Sequence, residues 1–141
     1  MKYSKDDFVK ALKNSGLKFG DLVMVHVGMS AFGALPENVK NQDELSIFTF
    51  ECLKEVLGEG GTLVVPAFCE WFRKQDGVRR SNDPFLSVCA FGKMADELTQ
   101  IKANTSYGKN SFFDRFTKMG GKISYLGAGL RWATIAHYFE E

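Results

Sequence analysis

An excess of charge of one sign is what this sequence most plainly lacks. Its 18 basic and 17 acidic residues leave a formal net charge of +1 at pH 7. They are interspersed along the chain, so the one-signed patch that a nucleic-acid or membrane-surface binder needs is missing. The expected partner is a small molecule, with no nucleic acid and no membrane. Cysteine is scarce, and Cys52, Cys69 and Cys89 are odd in number and far apart, which fits neither a disulfide framework nor a zinc knuckle, so no metal is expected. No apolar run approaches the length that spans a bilayer, and the opening MKYSKDDFVKAL carries too much charge for a signal peptide. A reducing cytoplasm is the expected setting. There is no Pro-rich linker, internal repeat or low-complexity tract. A chain of 141 residues with 45% apolar content therefore reads as one domain, 1–141, with one real core.

What is present alternates between strand-like and helix-like stretches. Ser4, followed by Asp6 and Asp7, predicts a helix start, with Phe8, Val9, Ala11 and Leu12 as its apolar stripe and Gly16 as its stop. LVMVHV is a continuous apolar run broken only by His26, as expected of a strand covered on both faces. From Asp43 to Leu57 the apolar residues recur with helical spacing up to Gly58, and the strand-like TLVVP follows. Strand, helix and strand joined by short glycine-bearing turns predict a parallel βαβ unit. Beyond it, SVCAFG reads as a strand, KMADELTQ and FFDRFTKM as helices, KISYLGAG as a strand, and RWATIAHYFEE as the opening of a last helix. The fold class expected is α/β: a layered α/β/α domain around a central, largely parallel or mixed sheet.

Few residues here can do chemistry. Thr134 is placed to cap the last helix, which puts His137 and Glu140 on one face at a spacing of three, close enough for the carboxylate to hold the imidazole. That pair is either a tuned base or an ordinary surface contact, and spacing does not decide between them. His26, inside an apolar strand, reads as a buried structural histidine. VGMSAFGALP, at the end of that strand, has the small residues of a loop that a ligand approaches closely, or of an ordinary turn. It carries neither the Walker pattern nor GxGxxG. RRSNDP is an anion-contacting loop or a solvated turn. Cys69 and Cys89 follow apolar stretches and read as packing residues, and Phe112, Phe113 and Phe116 read as core.

Taken in order, GDLVMVHVGMSAFG, GEGGTLVVPAF, FRKQDGVRRSNDPFLSVCAFGK, YGKNS and KISYLGAGLRWATIAHYFEE resemble the aminoglycoside 3-N-acetyltransferase family over nearly the whole chain. The resemblance implies transfer of an acetyl group from acetyl-CoA, as co-substrate, to an amine of an aminoglycoside or other amino sugar. It places the general base on His137 and the acid that orients it on Glu140. It also implies that Met29, Ser30 and Phe32 line the channel for the pantetheine arm and that Arg80 and Ser81 lie beside the cofactor. Chemically the assignment is sound, because an amine must be neutral to attack a thioester, and a histidine held by a carboxylate can take or relay the proton.

The chain departs from the family in several places. Val27 and Gly28 stand where the family usually has two serines, and Asp83-Pro84 where it usually has His-Pro. PAFC runs directly into EWFRKQ, where family members carry an additional loop, and the family is longer beyond FEE. The expectation is a shortened, incomplete acetyltransferase-like domain. Two other readings stay open: a serine hydrolase using Ser30 with His137 and Glu140, although the chain has no GxSxG elbow, and a noncatalytic CoA-binding remnant.

Overall fold

A computed structural model describes residues 2–67 and 69–140 of the chain. Helix α1 (Lys5–Asn14) begins at the expected serine: the Ser4 hydroxyl accepts from the Asp7 amide at 3.1 Å, and the Asp7 carboxylate accepts from the Ser4 amide at 3.0 Å. This reciprocal pair satisfies two amide donors that a helix start otherwise leaves unpaired. Strand β1 (Leu22–Val27) is followed by a 3-10 turn at Met29–Phe32. Helix α2 (Gln42–Leu57) is capped by Asn41 and stops at Gly58, whose φ of 62° suits glycine. Strand β2 (Thr62–Pro66) completes the predicted βαβ unit, with β1 and β2 parallel through the pairs Leu22 to Thr62 and Met24 to Val64.

The second half is built of shorter pieces: α3 (Glu70–Arg73), β3 (Arg79–Arg80), β4 (Val88–Gly92), α4 (Ala95–Thr99), α5 (Phe112–Lys118), β5 (Lys122–Leu126), a 3-10 turn at Leu130–Trp132, and α6 (Ala136–Glu140). The five strands form one sheet in the order β3-β4-β2-β1-β5. β5 is parallel to β1, whereas β4 runs antiparallel to β2 and to β3. The sheet is therefore mixed, as the α/β class allows. Two local readings need correction. Arg79 and Arg80 form an edge strand instead of lying in a turn, because their backbones pair with Ala90 and Cys89. Nor does Thr134 cap α6 through its side chain: its hydroxyl oxygen is buried without a hydrogen-bond partner, while its carbonyl accepts from the His137 amide at 3.3 Å.

Strand alternation sorts the core into two halves. Val23, Val25, Leu63, Val65, Cys89 and Leu126 face α1, α2 and α3, where Phe8, Leu12, Leu53, Val56 and Phe72 meet them. Leu22, Met24, Val64, Val88 and Ala90 face the other way, onto Leu98 of α4 and the fully buried Phe112, Phe113 and Phe116 of α5. The result is helices on both faces of a central sheet. Among the described residues, no helix is long and apolar enough to cross a membrane.

Candidate functional site

Three parallel strands, β1, β2 and β5, end at the same edge of the sheet, the edge where ligands of α/β folds gather. A cleft of ≈ 650 Å³ opens there. Its back wall is Val25, Leu63 and Val65 of the strands; Phe50 and Leu53 of α2 and Phe72 of α3 close one side, and the turns after β1 and β5 form the rim. The two turns are pressed together, because the Gly28 amide donates to the Leu126 carbonyl at 2.8 Å and a Cβ at Gly28 would lie 2.8 Å from the Gly127 carbonyl oxygen. That backbone approach leaves no room for a side chain at Gly28.

Of the residues expected to meet a cofactor, Met29 and Ser30 line this cleft. Met29 is half-buried, with its sulfur 3.9 Å from the Thr49 hydroxyl, and Ser30 is exposed at the rim. Phe32 turns instead to Phe8 of α1, their rings 6.0 Å apart. Arg80 ends the outer strand β3 and Ser81 follows it, with two strands between them and β1, level with Cys89 and Val88, which pair with Val65 and Pro66 of β2. The Ser81 hydroxyl is committed within the fold, accepting from the Val88 amide at 2.9 Å, which leaves it buried at 4% exposure. Arg80 is exposed and, among the described residues, its side chain hydrogen-bonds the Ser87 hydroxyl alone, at 3.4 Å. Met29 and Ser30 thus line the cleft, and Phe32, Arg80 and Ser81 do not.

His137 and Glu140 meet as their spacing predicts, with Nδ1 of the ring 2.9 Å from Glu140 Oε2. With Nδ1–H donating to the carboxylate, Nε2 is left as the acceptor, the tautomer a base requires. Their side chains are 60% and 69% exposed. A five-residue helix has little stability of its own, and α6 is held by its neighbours. Tyr138 donates from its hydroxyl to Asp114 at 3.1 Å, and Ile135 and Tyr138 pack on the second half of the core. Asp114 is itself fixed by Lys118 and the Asn110 amide, whose hydrogen bonds hold its carboxyl below the usual range. His137 rests edge-on against Tyr107 at 5.4 Å, and Tyr107 stacks on Phe113 at 6.0 Å. The pair does not line the cleft: the Gly127–Trp132 segment forms the cleft wall, and His137 lies beyond it on the α5 side. Nor does Ser30 hydrogen-bond His137 among the described residues, so the geometry a serine hydrolase needs is not assembled.

His26 is 5% exposed, stacked on Tyr125 at 5.3 Å, and burial pushes its pKa down. Its Nε2 is buried without a hydrogen-bond partner. The aromatic side chains at the cleft, Trp71, Phe72 and Trp132, were not among the sequence candidates. Their only signal was apolar character, which a core residue shares. No group of three or more His, Cys, Asp or Glu among the described residues is arranged to hold a metal ion.

Comparison with known proteins gives a consistent picture. A sequence model of the family described as aminoglycoside 3-N-acetyltransferase matches residues 67–141. Aminoglycoside N(3)-acetyltransferase III of Acinetobacter baumannii is 24% identical over 181 aligned positions, which take in 98% of this chain and 60% of that protein. Aminoglycoside N(3)-acetyltransferase VII of Streptomyces paromomycinus is 28% identical, with 89% of this chain and 56% of that protein aligned. The solved structure of AAC-VIa bound to sisomicin superposes with a TM-score of 0.84 at 25% identity, covering 99% of this chain and 65% of that one. AAC-IIIb in binary complex with CoASH shares the fold, with a TM-score of 0.81 at 23% identity and the same two coverages, 99% and 65%. This chain therefore spans about three-fifths of the curated relatives' length. The alignment of 181 positions is also longer than the 141 residues available here, so at least 40 positions inside that span have no counterpart in this chain.

Proposed function

Because the chain belongs to the aminoglycoside 3-N-acetyltransferase family, we propose that it acts as an N-acyltransferase, moving the acyl group of a coenzyme A thioester to the amine of an amino sugar. The observation that carries the reading is the pair formed by His137 and Glu140, which leaves a basic nitrogen open to solvent on a helix pinned at Tyr138. The thioester would supply an activated acyl carbon, and the cleft beside Met29 and Ser30 fits a slender arm entering at the sheet edge. Nε2 of His137 accepts the proton of the attacking amine. Glu140 keeps Nδ1 protonated and stabilises the imidazolium, as carboxylates do in catalytic triads. The new C–N bond forms as the C–S bond breaks, and the proton held by His137 returns to the departing sulfur. Backbone amides of the turns at the rim are the candidates to steady the carbonyl oxygen. The mechanism requires the thioester carbon to lie at the His137 side of the Leu130–Trp132 turn. A cytoplasmic setting suits both the donor and the free cysteines.

The test is thiol release from acetyl-CoA with a panel of aminoglycosides and simpler amino sugars. His137→Ala is expected to lower the rate by roughly 10²- to 10⁴-fold with the fold intact. A second reading, a binding remnant of the family, draws support from the missing positions within the aligned span. CoA binding without turnover on any amine selects the remnant. Absence of both binding and turnover sinks both readings.

A further inference from the structure

The charges left unpaired around the candidate base are positive among the described residues. Arg131 carries the only fixed charge among the side chains that line the cleft, which include no Asp, Glu or Lys. Its guanidinium is exposed, lies 5.8 Å over the Trp132 ring and has no carboxylate partner among the described residues. Lys109, two residues beyond the Tyr107 ring that His137 rests against, is exposed and likewise unpaired. The carboxylates tied to this surface by hydrogen bonds are all engaged. Glu140 holds His137; Asp114 accepts from Lys118, Tyr138 and the Asn110 amide; Asp83 accepts from the Ser106 hydroxyl and the amides of Phe85 and Leu86.

An aminoglycoside is a poor match for such a surface. It carries several ammonium groups at neutral pH, and here they would meet a guanidinium instead of a free carboxylate, a like-charge approach that is unfavourable at a contact from which water is partly excluded. A phosphate is the opposite case, since an arginine fork takes two of its oxygens at once. Trp132, 54% exposed beside that fork, offers a flat apolar face on which a nucleobase can stack.

Position decides which substrate brings the phosphate. Two successive turns, closed by the Ala133 amide on the Leu130 carbonyl and the Ala136 amide on the Ala133 carbonyl, both at 2.9 Å, join the segment bearing Arg131 to α6. Each such turn spans less than about 7 Å, so Leu130 and Ala136 lie within roughly 14 Å of each other. An arginine side chain and a sugar ring together bridge a gap of that size. Coenzyme A carries its phosphates at the far end of the pantetheine arm from its thioester, and the thioester carbon has to reach the His137 side of this turn. A phosphate at Arg131 during transfer therefore belongs to the acceptor. We propose that the acceptor is an amino sugar carrying a phosphate ester, held by Arg131, with a nucleotide-linked amino sugar preferred through Trp132. The inference rests on the acyltransferase reading above and assigns its acceptor class. The transfer is unchanged: the C–N bond forms as the C–S bond breaks, and the proton of the amine passes through His137 to the departing sulfur.

The test compares thiol release from acetyl-CoA with UDP-glucosamine, glucosamine 1-phosphate, glucosamine and kanamycin as acceptors. The expected order of kcat/KM is the order just given. Arg131→Glu is expected to lower the preference for glucosamine 1-phosphate over glucosamine by roughly ten- to a hundredfold, the loss of a charge-assisted contact, and to improve kanamycin relative to glucosamine. Trp132→Ala is expected to narrow the gap between UDP-glucosamine and glucosamine 1-phosphate, and circular dichroism checks that each variant folds. Kanamycin as the best acceptor overturns the acceptor class and leaves acetyl transfer in place. So does an Arg131→Glu effect that falls on the KM for acetyl-CoA equally with every amine, because Arg131 then serves the donor. Trp71 and Trp132 both line the cleft, so tryptophan fluorescence reads binding separately from turnover. UDP-glucosamine bound by the protein and not by the Arg131→Glu variant, without thiol release from any amine, sinks the acyltransferase reading and keeps the anionic site. Neither binding nor release sinks both.

Discussion

The two faces of the sheet are covered with similar chemistry and reach different ends. On the α5 face, Phe112, Phe113 and Phe116 are fully buried, and the rings of Phe113 and Phe116 lie 5.1 and 5.5 Å from that of Phe112. On the α2 face, Phe50, Leu53, Leu63 and Phe72 are almost as inaccessible, yet they line the cleft. Burial from solvent is thus not the same as closure: an apolar wall can lie deep and still lack neighbours on one side. The closed face holds α6 and its histidine in place, and the open face is the one with room for a ligand.

Deletions of comparable size should separate the two faces. Phe112→Ala leaves a void enclosed by Phe113 and Phe116, and a loss of about 3–5 kcal/mol is expected in denaturant unfolding. Leu53→Ala on the open face only enlarges an existing cleft, so the cavity contribution is smaller and a loss of about 2–3 kcal/mol is expected. Equal losses, after allowing for side-chain size, would mean that the cleft closes in solution and that the two faces do not differ.

A smaller change acts on the seam between the rim turns. The methyl group of Gly28→Ala would meet the Gly127 carbonyl oxygen at 2.8 Å and the Ala128 Cα at 3.3 Å, all backbone, so the turns must part. The strain is steric, because Gly28 has an ordinary φ of −129°. A stability loss of about 1–3 kcal/mol is expected, together with weaker binding of CoA compounds by fluorescence. Unaltered binding would show that the rim geometry does not shape the site.

The sequence exposed much of this framework and little of the contrast between its faces. β1, α2 and β2 were legible because an apolar run, a 3.6-residue period and a glycine stop each have a local cause. The His137 and Glu140 contact was legible for the same reason, since helical spacing of three is a local property. The antiparallel direction of β4 was not, because a covered strand has the same apolar run whichever way it points. Arg79 and Arg80 were missed as a strand because two exposed arginines carry no period, and their pairing is supplied by β4. Thr134 has the right residue type for a cap, but its hydroxyl ends up buried without a partner. Leu63 and Val65 looked like core and are core. That they also bound a cleft depends on what the rest of the chain leaves uncovered, which no local pattern records.

The smallest effect expected tests the closed face at its polar exception. His26 alternates with Leu22 and Met24 along β1, which turns its ring to the α5 side against Tyr125, while its position on the strand also borders the cleft. Burial lowers its pKa from 6.5 in the folded protein, so between the lower folded value and 6.5 the unfolded chain binds a proton that the folded one does not. Stability is therefore expected to fall as pH drops below 6.5, and to be unaffected by this residue above it. Thermal melts of the protein and of His26→Gln at pH 7.5 and 5.5 isolate the contribution: the drop in Tm on acidification should be larger with histidine present. Equal drops would mean that His26 is hydrated or protonated in the fold. In that case the α5 face would have an opening to water of its own, and the distinction between a sealed face and an open one would not hold.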